Sequence, residues 1–521
     1  MKNHYEMPPE DIPYDDFNDA TDTIDSSVFL TDYDLFIEKG DITYKADDGK
    51  TKISLTKAAK HFMEKYKLLA SMEGSSKAGN KLWIYNTKKG LYTPNGCCVI
   101  KYFMEEICGD LCRSHIENEV INRICTHRPF DPEKFDPDPY LLCVRNGVID
   151  LRSGKFVKHS SDYLMTMGID KRYDPKATFP NLLKFFEDIV EDPKDIDTVL
   201  DFLAVCLIQK PYDIFLELIG TGANGKGRLL LFVRWFLGRD NVTSTPLRQL
   251  GGRFADNSLY GKWVLINGES EGKFPIEVIK DLISGNPRTV EIKNGGFVGY
   301  VPFLKILVDT NNPAVIEDRS KGRQRRHYTL NFKKEFVHNP NPNNKRQILR
   351  DDHILDKLCT DKEASGLLNE LIRRAGELIK GRPIYRRKSE EQTMEEYDAQ
   401  THSVSGFIDN WCEIDDKVVN SMTYDKSKMT SNKSDIPYTS AGDLYAAYKS
   451  YCGTLNITPK SQRSLGRYLT SLGLKSKHVG DKRVRSYYGL TLLPLVDAVM
   501  NTKAGGEKAA ACTLEQIENA I

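Results

Sequence analysis

Nine residues limit the architecture of this 521-residue chain more than any others: Gly220, Thr221, Gly222, Ala223, Asn224, Gly225, Lys226, Gly227 and Arg228. They lie between two apolar runs, FLELI before and LLLFVRWFL after. Strand, glycine loop, lysine and helix, in that order, make a phosphate-binding loop. The glycines let the backbone wrap closely and turn its amides toward phosphate oxygens, and the start of the following helix adds partial positive charge. Lys226 is placed to reach the β- and γ-phosphates of a nucleotide, with ATP and Mg²⁺ as the expected cofactors. A glycine-rich turn without a ligand is the alternative. One departure stands out. The Ser/Thr that usually follows the lysine and offers a hydroxyl to Mg²⁺ is Gly227 here.

Further along, short apolar runs alternate with helical patterns. The runs cover 215–219, 263–266 and 304–308; the helices cover 228–237 and 277–284. That alternation predicts a parallel sheet covered by helices on both faces. The second run continues into NGESE, where such an enzyme needs acids for metal and for the attacking water. Glu269 is the first choice, including as metal ligand, with Glu271 second; Asn267 stands where a metal-binding Asp is expected. The third run ends in DTNNP, a place for an amide that senses γ-phosphate. Next comes Asp318-Arg319-Ser320-Lys321-Gly322-Arg323-Gln324-Arg325-Arg326, basic at five of nine positions. It reads either as a basic loop facing DNA or as an arginine finger reaching a neighbouring subunit.

A net charge of +1 hides an uneven distribution. Residues 1–36 carry ten acids against one Lys and read as a disordered acidic tail, whereas residues 459–488 carry eight Lys/Arg against one Asp. The eleven cysteines, with no signal peptide before them, suggest reduced thiols in a cytosolic setting. Cys108, Cys112, His115, Cys125 and His127 lack CxxC spacing and read as ordinary thiols and imidazoles rather than a zinc site. No apolar run approaches membrane-spanning length, so a soluble cytoplasmic protein is expected.

The domains expected are an N-terminal α/β domain over 37–175, the nucleotide-binding domain over 176–385 and a charged linker or exposed helix over 386–402. A small domain over 403–498 and a tail over 499–521 follow. In 403–498, Leu444, Ala447, Tyr448 and Tyr451 share one helical face. A second helix, 461–472, turns Leu465, Leu469 and Leu472 inward and Arg463 and Arg467 outward. A basic hairpin with Lys482, Arg483 and Arg485 comes after it. Helix plus basic wing is a winged-helix arrangement suited to DNA; a protein-interaction domain is the alternative.

The sequence GTGANGKG, the strand leading to Glu269, LVDTNN and RRHYTLNF, together with RFADNSLYGKW and IKDLISGN between them, resembles superfamily 3 helicases. The nearest branch is that of the phage, plasmid and poxvirus primase-helicases. The resemblance extends over roughly 80–495, including NGVIDLRSGKFVKHS and YDPKATFPNLLKFF. It implies an α/β P-loop ATPase of the AAA+ type, working as a homo-oligomeric ring, a hexamer, that moves 3′–5′ on single-stranded and forked DNA. It makes Lys226 the phosphate contact, Glu269 the acid, Asn311 the sensor with Asn312 as alternate, and Arg326 the finger. Over 289–301, TVEIKNGGFVGYV, two β-rich runs flank Lys293-Asn294-Gly295-Gly296, a hairpin signal, with a plain structural hairpin as one reading; a hairpin at this place in the family points into the ring's pore, which assigns Lys293 to phosphate and Phe297 to sugar or base. No polymerising domain is expected in front, although a separate primase could dock. The rival readings are an ATP-binding assembly protein with weak or no hydrolysis, and a DNA translocase that does not unwind.

Overall fold

A computed structural model describes residues 32–71, 81–220, 222–252, 255–268, 275–292, 296–311, 313, 316, 318, 320–414, 438–455, 457, 459–474, 476–479 and 484–493. The chain divides into two compact units. One comprises 1–138, 143–148 and 157–168; the other comprises 139–142, 149–156 and 169–521.

In the first unit, helix α1 (Leu55–Lys65) is followed by strand β1 (Leu68–Ser71), then β2 (Lys81–Asn86), β3 (Leu91–Thr93), helices α2 (Gly96–Cys108) and α3 (Ser114–His127), and β4 (Pro129–Phe130). The strands form one sheet in the order β3–β2–β1–β4. The apolar spacing of the sequence is helical from Leu55 as far as Leu69, but the helix stops early because Tyr66 takes an extended backbone, which frees Leu68 and Leu69 to pair with Ile84 and Trp83. Phe62, Val99, Phe103, Val120 and Ile124 share an apolar core with Cys108 and Cys125. Residues 139–169, where the chain alternates between the units, carry β5 (Leu141–Val144), β6 (Gly147–Asp150), β7 (Lys155–Val157) and β8 (Gly168–Ile169).

The second unit opens with two helices, α4 (Pro180–Ile189) and α5 (Asp195–Cys206). Its centre is built from β9 (Phe215–Ile219), α6 (Lys226–Leu237), β10 (Val242–Thr243), β11 (Val264–Asn267), α7 (Ile276–Ser284) and the ribbon β12 (Arg288–Ile292) and β13 (Gly296–Tyr300). Strand β14 (Lys305–Thr310), helix α8 (Lys321–Arg326) and strand β15 (His327–Asn331) complete it. The sheet order is β10–β11–β14–β9–β15, every neighbour parallel. Side chains alternate between the faces with period two. Phe215, Ile219, Leu265, Ile306 and Val308 pack with Ile279, Leu282 and Ile283 of α7. The intervening Leu216, Leu218, Ile266 and Leu307 are buried as well, so the sheet is buried on both faces, as a parallel sheet requires.

A parallel two-strand ribbon, β16 (Glu335–Val337) and β17 (Gln347–Leu349), follows, with helices α9 (Ile354–Leu358) and α10 (Asp361–Ile379). The segment expected as linker or exposed helix is α11 (Glu390–Thr401), started by a Ser389/Gln392 capping box. It is not wholly exposed: Tyr397, at 2% exposure, packs into the apolar cluster of the parallel sheet.

The C-terminal part contains α12 (Ser403–Trp411), β18 (Cys412–Ile414), β19 (Tyr438–Ser440), α13 (Ala441–Thr454), α14 (Gln462–Ser471), β20 (Ser476–Val479), β21 (Val484–Tyr488) and β22 (Leu490–Leu492). Strand β21 lies between β19 and β20 in an antiparallel sheet. Leu444, Ala447, Tyr448, Tyr451, Leu465 and Leu469 form its core. Leu472, expected inward, is 40% exposed because the helix ends at Ser471 and Leu472 caps it.

Candidate nucleotide site

All five parallel strands point the same way, so their carboxyl ends share one edge, where ligands of open α/β sheets collect. Gly220 follows β9 there, Asn311 follows β14, and Asn267 ends β11. The loop after β9 is tightly wound. Gly222, Ala223 and Gly225 all have positive φ, at 103°, 48° and 84°. For Ala223 that conformation costs about 1 kcal/mol, and it is held by the Phe336 amide, which donates to the Ala223 carbonyl at 2.7 Å. Gly220 has no room for a side chain: a Cβ would come within 2.6 Å of the Phe332 carbonyl oxygen and would also meet Asn224. Glycine at 220 is therefore set by close approach rather than by φ.

Lys226 opens α6 at 3% exposure. Its ammonium donates to the Gly220 carbonyl at 2.9 Å, to Asn224 Oδ1 at 3.1 Å and to Asn311 Oδ1 at 3.2 Å. The Asn224 amide in turn donates to the Phe332 carbonyl at 3.3 Å. The lysine and the amide expected as sensor, 85 residues apart in sequence, thus meet at neighbouring strand tips. Gly227 and Arg228 lie in the first turn of α6. Thr221, Glu269, Glu271 and Asn312 lie outside the described residues. Asn267 turns its amide to the Thr245 carbonyl at 3.2 Å, a hydrogen bond between strand tips.

Arg326 sits at the other edge of the sheet. It immediately precedes β15, whose His327 is in register with Phe215 at the start of β9. The Arg326 guanidinium pairs with Asp213 at 3.0 Å, and Arg325 pairs with the same carboxylate at 3.3 Å. Arg325 is the more open, with its side chain 56% exposed against 17%. Arg319 lies outside the described residues.

Behind the loop is a buried polar group that sequence reasoning missed. Glu217, in the middle of β9, is fully buried and bonds His327 at 2.8 Å. The His327 ring stacks on Phe215 and meets Tyr397 edge-on, and the buried Arg323 lies over the Tyr397 ring. Burial pushes the His327 pKa down against the pull of Glu217. The one available signal was a charge inside an otherwise apolar strand.

Of the expected DNA-contacting residues, Arg463, Arg467 and Arg485 line one cavity of ≈ 580 Å³ beside Tyr487. Lys482, Arg483, Lys293 and the Phe297 side chain lie outside what is described. The strands flanking Lys293 do form the expected hairpin, with Val290 opposite Val298. Its base is anchored: Asp256 accepts two hydrogen bonds from Arg288, at 2.7 and 3.1 Å, and one from the Tyr300 hydroxyl at 3.0 Å. Among the described residues no group of three or more His, Cys, Asp or Glu could hold a metal ion, and no helix is long and apolar enough to cross a membrane.

Residues 59–191 match a family model described as D5 N terminal like, and residues 218–326 match a family of unknown function, DUF5906. A protein of Acanthamoeba polyphaga mimivirus, whose name, helicase L207/L206, is itself provisional, is 30% identical over 130 residues. The match covers 23% of this chain and 13% of that protein. Two solved structures of the NrS-1 C-terminal region align over 83% and 82% of this chain and 98% of theirs, at 13% identity and TM-scores of 0.41 and 0.42.

Proposed function

We propose that this chain is an ATP-driven motor acting on DNA, a replication helicase of the viral or plasmid kind that works as a homo-oligomeric ring on single-stranded and forked DNA. The observation carrying the proposal is the convergence of Lys226 and Asn311 behind a loop wound by three positive-φ residues. A fixed ammonium beside a strand-tip amide is what a γ-phosphate and its attacking water need. In this reading Lys226 exchanges its carbonyl and amide partners for phosphate oxygens when ATP binds. The backbone amides of 222–227 wrap the phosphates, and Asn311 orients the water. Mg²⁺ supplies charge neutralisation at the phosphates when bound. Gly227 offers it no hydroxyl, so Glu269 is the donor the reading requires.

The test is phosphate release with and without single-stranded DNA. Lys226→Ala is expected to abolish turnover and weaken ATP binding, because the phosphates lose their charge-assisted partner. Glu269→Gln is expected to bind ATP and not hydrolyse it. Unchanged turnover in Lys226→Ala would sink the reading. The second reading, a ring that binds ATP without turning it over, is favoured by Gly227 and by the Asn267 amide being committed to Thr245. It predicts tight ATP binding by the wild type with no phosphate release at any DNA concentration.

A further inference from the structure

Helix α8 has six residues, too few to be stable by itself. It carries Arg325 and Arg326 in its last turn, so tertiary contacts must fix where those two side chains start. Before the helix, the buried Arg323 reaches back to the Ile316 and Asp318 carbonyls, donating at 3.2 and 2.9 Å. At its other end the last carbonyls have no partner within the helix. The His327 amide takes that of Arg323. The next two, of Gln324 and Arg325, are both taken by Arg386, whose terminal nitrogens donate to them at 2.9 Å each.

Arg386 is itself held. Its guanidinium lies on the Tyr328 ring of β15, 3.9 Å from the ring centre. The chain around it is tied to α5 on both sides. Before it, Arg382 forks onto the buried Asp201 at 2.7 Å to each oxygen, and the Tyr385 amide donates to the same carboxylate at 2.8 Å. After it, Arg387 forks onto Asp195 at 2.8 and 3.3 Å. A planar fork, an aromatic stack and an anchor on either side leave Arg386 little freedom.

We infer that Arg386 is a positioning residue for the arginine that α8 offers to a neighbouring subunit. It grips the two peptide groups that flank Arg325, and so sets the starting point of both Arg325 and Arg326. The inference rests on the motor reading above. An arginine finger acts by placing charge at the transition state, and a displacement of about 1 Å can cost about a hundredfold in rate. Arg386 touches no nucleotide in this reading. Its loss therefore spares ATP binding and removes what a well-placed arginine adds to turnover.

The experiment compares full-length Arg386→Gln and Arg386→Lys with wild type. It measures kcat and KM for ATP, affinity for a fluorescent ATP analogue, and affinity for ADP with aluminium fluoride, a mimic of the phosphoryl group in transfer. Arg386→Gln is expected to lower kcat by about ten- to a hundredfold and weaken the mimic by about tenfold, with ATP affinity within about twofold of wild type. Arg386→Lys keeps the charge on Tyr328 without the planar fork and is expected to fall between. The ratio of mimic to ATP affinity is read on folded protein, and Arg386→Lys supplies it should Arg386→Gln not fold. In a background where Arg325 and Arg326 are both Ala, Arg386→Gln is expected to weaken the mimic no further, since the groups it positions are gone. Equal losses of ATP and mimic, or a further loss in that background, would overturn the inference and leave Arg386 a structural clamp. Wild-type kcat in Arg386→Gln would overturn it too, with the motor reading intact. A wild-type protein that releases no phosphate would bring down the motor reading and the positioning role together.

Discussion

Lys305 begins β14 with no exposed surface, and its amino group donates to the Ile208 carbonyl at 2.5 Å. Burial pushes its pKa down from 10.5 to about 7, with the neighbouring Cys206 pulling weakly the other way. Between about pH 7 and 10.5 the unfolded chain holds a proton that the folded chain does not. Stability attributable to this group therefore rises with pH across that window, and below about pH 7 the burial penalty is constant. The slope for one proton is at most about 1.4 kcal/mol per pH unit. Lys305→Met removes it. Urea unfolding of both proteins at about pH 7, 8 and 9, inside that window, checks this. The wild type is expected to gain on the variant at each step, and a constant difference would mean that Lys305 keeps its proton. The loop residues follow a different logic. Gly220 and Gly225 are glycine because a methyl would strike Phe332 and Ile189, whereas Ala223 tolerates a strained φ because Phe336 holds its carbonyl.

Helix α14 and strand β21 bring Arg463, Arg467 and Arg485 to one concave surface, although strand β20 comes between them in the chain. The helix presents Arg463 and Arg467 one turn apart because Leu465 and Leu469 are buried on its opposite side. Arg485 is held by a hydrogen bond from its Nε to Ser476 Oγ at 2.9 Å. Three cations on one face suit the spaced phosphates of a DNA strand. Replacing all three by Ala is expected to lower the slope of log K against log salt by roughly 0.7–0.9 for each phosphate no longer neutralised, so by about two to three units in all. Titration of labelled duplex and single-stranded DNA at several salt concentrations measures it. An unchanged slope would leave this face to a protein partner. The ribbon β12–β13 is a second candidate surface, fixed at its base through Asp256, with its tip outside the described residues.

Parallel strands separate the two halves of the proposed hydrolysis site. Lys226 and Asn311 lie at the carboxyl edge of the sheet, and Arg326 lies at the amino edge, a strand length of about 16 Å away. Arg326 is therefore remote from its own phosphate loop, so the finger role proposed for it requires a neighbouring copy. In the single chain Asp213 holds Arg326, Arg325 and, through a 2.7 Å hydrogen bond, Ser284. Assembly would have to release one of the two arginines from Asp213. Arg326→Ala is expected to bind ATP and fail to hydrolyse it. In mixtures with wild type, activity is expected to fall faster than the mutant fraction. A linear fall, or normal turnover by the variant alone, would remove Arg326 from the role and turn attention to the more exposed Arg325.

The sequence by itself determined the parallel sheet, the hairpin over 289–301 and the core positions of the C-terminal helices other than Leu472. Each of these is a local pattern: buried strands are short apolar runs, amphipathic helices repeat at 3.6 residues, and a glycine loop between strand and helix has few other uses. The extent of α1 and the docking of α11 were not legible. A helical period continues formally past Tyr66, and Tyr397 stands alone in a charged segment, so only contacts with β2 and with the sheet decide them. The same holds within the candidate nucleotide site. Lys226 stands out in its motif, but its meeting with Asn311 depends on β14 lying beside β9, a pairing that no local pattern encodes. The clamp of Asp213 on two arginines and the burial of Glu217 against His327 join residues more than a hundred positions apart. Tertiary structure alone decided these, because burial and charge pairing are set by which elements the sheet order brings into contact.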